Sequence, residues 1–463
     1  MKSTDPDLAS RERPLIAWYG DDFTGSAAAM EVLSFAGIPS VLFLRVPSEE
    51  QRARFAGHAG IGLAGTARAH PPEWMEQHLP EAFGFLKGLG PELFHYKLCS
   101  TLDSSPAIGS IGRAIEIGRR VVADAPVPLL VAAPPMRRYQ VFGNLFAGAP
   151  VTVHRLDRHP VMRRHPVTPM DEADVRLHLA RQTALPLGLV DLVDLRENAS
   201  ADAAWRRERE GGAGIVALDA LDEPSLAEAG RLLWENRSAS PFVAGSQGVQ
   251  YALVAHFRQI GAIAPIDLVP RVPERSPVAV VSGSVSPITE AQIGEAVARG
   301  FAEVPLDVAA VVQGGSRDAV RQAVERASRL IGDGRSTIVH AARGPADPRV
   351  ATLARIAAAE NLSSAQIGAR IGEALAEILA ALLERTGVRR AIVAGGDTSG
   401  AVMGALGIYA LTALAPTVPG ASLFRAHADA AALDGLEIAL KGGQMGSPDF
   451  FDWIRRGNES GPA

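Results

Sequence analysis

Cysteine is almost absent: Cys99 stands alone among 463 residues, so no intramolecular disulfide can form and a cysteine-rich zinc site is excluded. Aromatic residues are scarce, at 5%, and the abundance of alanine points to helices packed closely through small side chains. There is no basic excess either, since 46 Lys and Arg face 51 Asp and Glu for a net charge of -5. A nucleic-acid binder would show a basic surplus or stripe, so an anionic ligand has to be held by a few local cations or backbone N–H groups. No apolar run approaches the ~18 residues that a membrane span needs. Residues 1–13 are charged and lack the apolar core of a secretory signal. These absences lead to the expectation of a cytoplasmic protein that handles a small molecule.

What is present fits a globular chain, with 47% hydrophobic and 21% charged residues. The length calls for more than one core. Residues 14–19 form an apolar run that ends in Gly20 and two aspartates, residues 26–35 have helical spacing, and residues 40–46 are strand-like again. Strand, glycine turn, helix, strand is the signature of a parallel βαβ unit. The pattern recurs, with strands expected at 61–64, 92–98, 129–133, 187–195, 214–218 and 241–244, and a helix at 106–123. Four prolines within residues 264–277 mark an extended linker. A second series follows, with strands at 278–281, 336–340 and 390–393 and a helix at 367–383. The expected class is α/β, in two domains each with a mostly parallel sheet flanked by helices and with a ligand cleft between them. The expected boundaries are 1–265, a linker at 266–277, and 278–463.

Three glycine and hydroxyl clusters follow apolar strands in the second half: Ser282-Gly283-Ser284-Val285-Ser286-Pro287, Gly395-Gly396-Asp397-Thr398-Ser399-Gly400 and Lys441-Gly442-Gly443-Gln444-Met445-Gly446-Ser447. Any one of them is explained by an N-capped turn. Three in one domain point to a phosphate-bearing ligand, because glycine lets the backbone approach a phosphate and helix N-termini attract anions. None matches the P-loop or the G-x-G-x-x-G pattern. In the first half, Asp21 and Asp22 end a buried strand, and adjacent side chains there point in different directions. One can face a ligand while the other caps the helix. An aspartate beside an acceptor hydroxyl can take or orient its proton in phosphoryl transfer. Arg68 and Lys97, from two other strand ends, suit a carboxylate substrate, although an isolated cation is more often a surface residue. Cys99 reads as a small buried residue. His154, His159 and His165 are spaced irregularly, which favours a solvated loop over a metal site. A helix start is expected at 169–174.

Together, Gly20-Asp21-Asp22-Phe23-Thr24-Gly25, Ser282-Gly283-Ser284, Gly395-Gly396-Asp397-Thr398-Ser399 and Lys441-Gly442-Gly443 resemble, in order, the motifs of the four-carbon acid sugar kinase family. The resemblance runs from about residue 14 to about 453. It implies an ATP- and Mg²⁺-dependent phosphotransferase with an alcohol acceptor on a small acid sugar. Asp21, Asp22, Arg68, Lys97, Ser100 and Thr101 would bind the sugar, with Asp22 or Asp21 catalytic. Ser282, Ser284, Gly395, Gly396, Asp397, Thr398 and Gly443 would bind ATP, and the metal ligands are not assigned. The segment Lys97-Leu98-Cys99-Ser100-Thr101-Leu102-Asp103-Ser104-Ser105 looks more like the 3-oxo-tetronate kinase branch than the threonate or erythronate kinases, and 3-oxo-isoapionate stays open as substrate. A non-catalytic binding protein, an oxidoreductase or an aldolase are the other readings. Acid sugar and ATP are the expected partners, without nucleic acid or membrane, and a homodimer is held open.

Overall fold

The structure is a computed structural model that describes residues 13–149, 151–417 and 421–457. It divides into two compact units, one ending at Leu268 and the other beginning at Val269. Among the described residues, no helix is long and apolar enough to cross a membrane.

The first unit is built on β1 (Ile16–Gly20), β2 (Ser40–Phe43), β3 (Gly60–Ala64), β4 (Leu93–Lys97), β5 (Val127–Leu130), β6 (Arg138–Val141), β7 (Asn144–Gly148), β8 (Val153–Arg155), β9 (Leu187–Val190), β10 (Ile215–Leu218) and β11 (Phe242–Gly245). Its main sheet has the order β2-β3-β1-β4-β11-β5-β10-β9, with every neighbouring pair parallel. Both faces are covered by helices, which is why β1, β4 and β11 read as unbroken buried runs and not as alternating ones. The chain places β2 and β3 on one side of β1 and then crosses to β4 on the other. That reversal opens a crevice at the carboxyl ends of β1, β3 and β4. The strands β6, β7 and β8 form a separate antiparallel sheet that the sequence reading does not anticipate.

Several boundaries differ from those expected. The helix read at 106–123 is Ile111–Val121, because Ser105 Oγ accepts the Ala107 and Ile108 N–H groups in a local turn and Ser110 caps the helix. The strand read at 129–133 ends at Leu130, and Ala133 pairs instead with Arg138. The helix foreseen from residue 169 begins at Val175, capped by Asp174. The histidine segment is folded: His159 is buried, and its Nδ1 accepts the Val161 and Met162 N–H groups. Cys99 is half-buried and not enclosed.

The second unit contains β12 (Ala279–Ser282), β13 (Ala302–Pro305), β14 (Thr337–His340), β15 (Arg390–Ala394), β16 (Ile408–Ala415), β17 (Leu423–Ala428) and β18 (Glu437–Lys441). The order is β13-β14-β12-β15-β18-β17-β16, parallel as far as β18 and antiparallel beyond it. Val280, Ile392 and Ala439 pack with Phe301, Phe450 and Ile454 in its core. The direction of the chain reverses between β12 and β15, which makes a second crevice at their carboxyl ends.

Candidate functional site

At the first crevice, four of the expected residues come together. Asp21 follows β1 directly, and its N–H donates to Lys97 O (2.9 Å), so the end of β1 is tied to the end of β4. Arg68 lies four residues beyond β3, and its N–H donates to Asp21 O (3.0 Å). The Arg68 guanidinium then grips both carboxylates. Its Nε and Nη2 reach Asp21 at 3.2 and 2.6 Å, and Nη2 also reaches Asp22 Oδ1 at 2.8 Å. Lys97, at the end of β4, is buried and donates to Leu98 O at 2.8 Å. A Cβ on Gly25 would lie 2.4 Å from both Asp22 Oδ1 and Lys97 Nζ, so only glycine lets the helix start this close to the charges.

The two aspartates divide the work. Asp22 is the N-cap of the helix Phe23–Phe35: its Oδ1 accepts the Gly25 N–H (3.0 Å) and its Oδ2 the Thr24 hydroxyl (2.6 Å). Its side chain is 25% exposed, against 2% for Asp21, so Asp22 is the one a ligand can reach. Burial raises the pKa of Asp21 above the ordinary carboxylate range, and Arg68 offsets only part of that shift. Burial also acts on Asp22, but Arg68, Lys97 and the cap hydrogen bonds outweigh it and hold that carboxyl low. Lys97 is pushed below the ordinary lysine value by burial, against the pull of Asp22 and Asp21. Ser100 and Thr101 sit on the loop leaving β4. Ser100 is half-buried, and the Thr101 hydroxyl lies 3.1 Å from Cys99 Sγ.

At the second crevice, the three glycine clusters leave neighbouring strands at one level, because Ser282 pairs with Ala394 and Ala394 with Lys441. The Thr398 hydroxyl fills the gap between two of them: a Cβ on Gly283 would lie 2.3 Å from Thr398 Oγ1, and one on Gly395, where φ is 126°, 2.9 Å. Gly396 opens the following helix, Gly396–Ala405. The Asp397 side chain lies outside the described residues. Ser284 Oγ is 2.9 Å from Thr289 Oγ1, which is 3.2 Å from Gly443 O, and Ser286 Oγ donates to that same carbonyl. Among the described residues, Ser282 Oγ is buried without a hydrogen-bond partner.

Sequence reading leaves Lys441 as one letter of a motif, without a role. In the structure its ammonium is fully buried, donates to Thr289 Oγ1 at 3.1 Å, and is pushed down to about 8 by burial alone. A buried cation for which no carboxylate is found among the described residues is poised for an anionic ligand. Its apolar flank, Ile438-Ala439-Leu440, is the only signal that could have marked it, since a lysine closing a wholly buried strand is out of place on a surface. Ser286 and Thr289 are likewise visible only as a helix cap in the sequence.

Residues 16–253 match a family model described as a sugar-binding N-terminal domain, and residues 279–451 match one described as a nucleotide-binding C-terminal domain. A 3-oxo-isoapionate kinase of Paraburkholderia graminis is 46% identical over 452 residues, covering 96% of this chain and 95% of the relative. A 3-oxo-tetronate kinase of Cupriavidus necator is 30% identical over 450 residues, covering 95% of this chain and 96% of the relative. A solved structure from Haemophilus influenzae has a TM-score of 0.72 at 24% identity, covering 95% of this chain and 99% of that one, a likeness of fold alone.

Proposed function

Because the chain belongs to the four-carbon acid sugar kinase family, we propose that it transfers the γ-phosphate of ATP to a hydroxyl of a 3-oxo acid sugar, with 3-oxo-isoapionate the first substrate to test. Membership sets aside the oxidoreductase and aldolase readings. The observation that carries the proposal is the cluster at the first crevice, where an accessible carboxylate, Asp22, is held ionised by Arg68 and Lys97.

In this reading the acceptor oxygen forms a bond to the γ-phosphorus while the bond to the β,γ-bridging oxygen breaks, and ADP leaves. Asp22 accepts a hydrogen bond from the acceptor hydroxyl, aims it in line, and takes its proton as the new bond forms. A carboxylate held low orients better than it abstracts, which suits a reaction whose catalysis is mostly positioning and charge stabilisation. Asp21 fixes Arg68, and Lys97, Ser100 and Thr101 complete the sugar side. On the nucleotide side, Lys441 would meet phosphate oxygens, and the backbone around Ser282, Ser284, Gly395, Gly396, Thr398 and Gly443 would line the rest, with Asp397 in the same turn. Mg²⁺ would arrive on the phosphates and neutralise part of their charge. Among the described residues no three His, Cys, Asp or Glu side chains converge on a metal position. That accords with a nucleotide-borne Mg²⁺, which takes only one or two protein carboxylates.

The test is ADP release across 3-oxo-isoapionate, 3-oxo-tetronate, threonate and erythronate. Turnover on a 3-oxo acid well above that on the two saturated acids is expected. Release independent of any acid would overturn the proposal.

A further inference from the structure

The four charged residues at the first crevice cancel. Asp21 and Asp22 oppose Arg68 and Lys97, and moving a proton from Lys97 to Asp21 leaves the sum at zero. Arg68 spends Nε and Nη2 on the two carboxylates. A substrate carboxylate entering this quartet would therefore bring an uncompensated charge into a half-buried site, where an unpaired ion is costly. Another cation is required, one that has no carboxylate of its own.

Arg138 meets that description. The main sheet carries its position across: Lys97 at the end of β4 pairs with Gly245 of β11, and Gly245 pairs with Leu130 at the end of β5. Two steps of ~4.8 Å separate β4 from β5. Just past β5, the turn Pro134–Met136 closes through Arg137 in the left-handed conformation, with φ 57°. It returns the chain so that Ala133 and Arg138 exchange backbone hydrogen bonds of 2.9 and 3.2 Å. Arg138 is thus pinned at the carboxyl edge that also presents Asp22 and Lys97. Its Nη1 donates only to carbonyls, those of Met136 (3.2 Å), Arg137 (3.3 Å) and Gly148 (3.4 Å), and its Nε is buried with no partner. Among the described residues no carboxylate is near enough to act on it; burial lowers its pKa, Cys99 offsets part of that, and Arg137 adds to it. The half-buried Cys99 thiol stands within electrostatic range of Arg138, Arg68 and Lys97 together, which ties all three cations to one locality.

We propose that Arg138 is the anchor for the substrate carboxylate, engaging it through its guanidinium, which among the described residues is held by carbonyls and by no carboxylate. This rests on the acid-sugar reading above and adds to it the residue that selects an acid over a neutral sugar. The Asp21, Asp22, Arg68 and Lys97 quartet then orients hydroxyl and carbonyl groups and carries no net charge of its own.

Steady-state kinetics of wild type, Arg138→Gln and Arg138→Lys are compared on 3-oxo-tetronate and on its carboxamide, with melting curves for each variant. Arg138→Gln is expected to raise the KM for the acid about ten- to a hundredfold. The KM for ATP should stay within about twofold, and the preference for acid over carboxamide should collapse. Arg138→Lys keeps the charge but loses the two-pronged geometry, so its preference falls severalfold without vanishing. An unchanged acid preference in Arg138→Lys overturns the proposal even if the glutamine variant does not fold. So does a parallel rise in KM for acid, carboxamide and ATP, which would mark a structural role. A thermal shift with the acid alone separates the two readings. Stabilisation that Arg138→Gln abolishes, in a protein that releases no ADP, keeps the Arg138 role and sinks the kinase reading. Normal ADP release with unchanged KM in both variants sinks Arg138 alone, and neither binding nor turnover in wild type sinks both.

Discussion

Asp22 holds a helix and faces a ligand with one carboxylate, and the two duties can be separated by substitution. Asparagine caps a helix about as well as aspartate does, so Asp22→Asn keeps the bond from the Gly25 N–H while removing the charge that would take a proton. The expected result is a fall in kcat of roughly 10²–10⁴-fold with the helix cap kept but a lower melting temperature, since Arg68 and Lys97 lose one of the two charges that balance them; near-normal turnover would remove Asp22 from the chemistry. Lys441 offers a second handle at the same scale. With a value of about 8 in the free protein, its ammonium loses its proton as the pH rises through that point. Nucleotide phosphates would hold the proton on, so binding requires the charged form. The KM for ATP is therefore expected to rise about tenfold from pH 7 to pH 9, and Lys441→Met should flatten that rise. Stability runs the other way. The folded state releases this proton before the unfolded chain does, so the contribution of Lys441 to stability increases with pH between about 8 and 10.5.

Loops owe their shape here to missing atoms. Gly283 and Gly395 leave the space that the Thr398 hydroxyl occupies, so Gly283→Ala is expected to cost about 1–3 kcal/mol by overpacking. Gly283→Ala with Thr398→Ala should recover most of it, a non-additivity that denaturant melts of the four proteins in the cycle would measure. Equal losses in the single and double variants would mean that the two loops do not nest. The glycines were legible as motifs in the sequence, but their reason was not, because it lies in contacts between loops more than a hundred residues apart. Short elements were the least legible. The sheet of β6, β7 and β8 has strands of 4, 5 and 3 residues, too brief for alternation to register against the surrounding arginines. Arg138 begins that sheet and is hidden for the same reason: nothing in Met136-Arg137-Arg138-Tyr139 marks one arginine as the less exposed.

At the level of the whole molecule, the parallel α/β architecture was readable because buried strands announce themselves as apolar runs between glycine turns, and both units repeat that pattern. What the sequence could not carry was strand order. Asp21, Arg68 and Lys97 are far apart along the chain, and only the crossing from β3 over β1 to β4 brings them to one crevice. The same holds for the three glycine clusters, which share a level because β12, β15 and β18 are neighbours in flush register. Strand order also has a historical consequence. The sheet of β6, β7 and β8 is inserted between β5 and β9, outside the parallel order of the core, and joins that core where Gln140 exchanges backbone hydrogen bonds with Ala220 just past β10. Away from that junction, mutations can accumulate without unravelling the core, so descendants of one ancestral enzyme could shift from one acid to another by rewriting the insert while inheriting the phosphoryl-transfer loops unaltered.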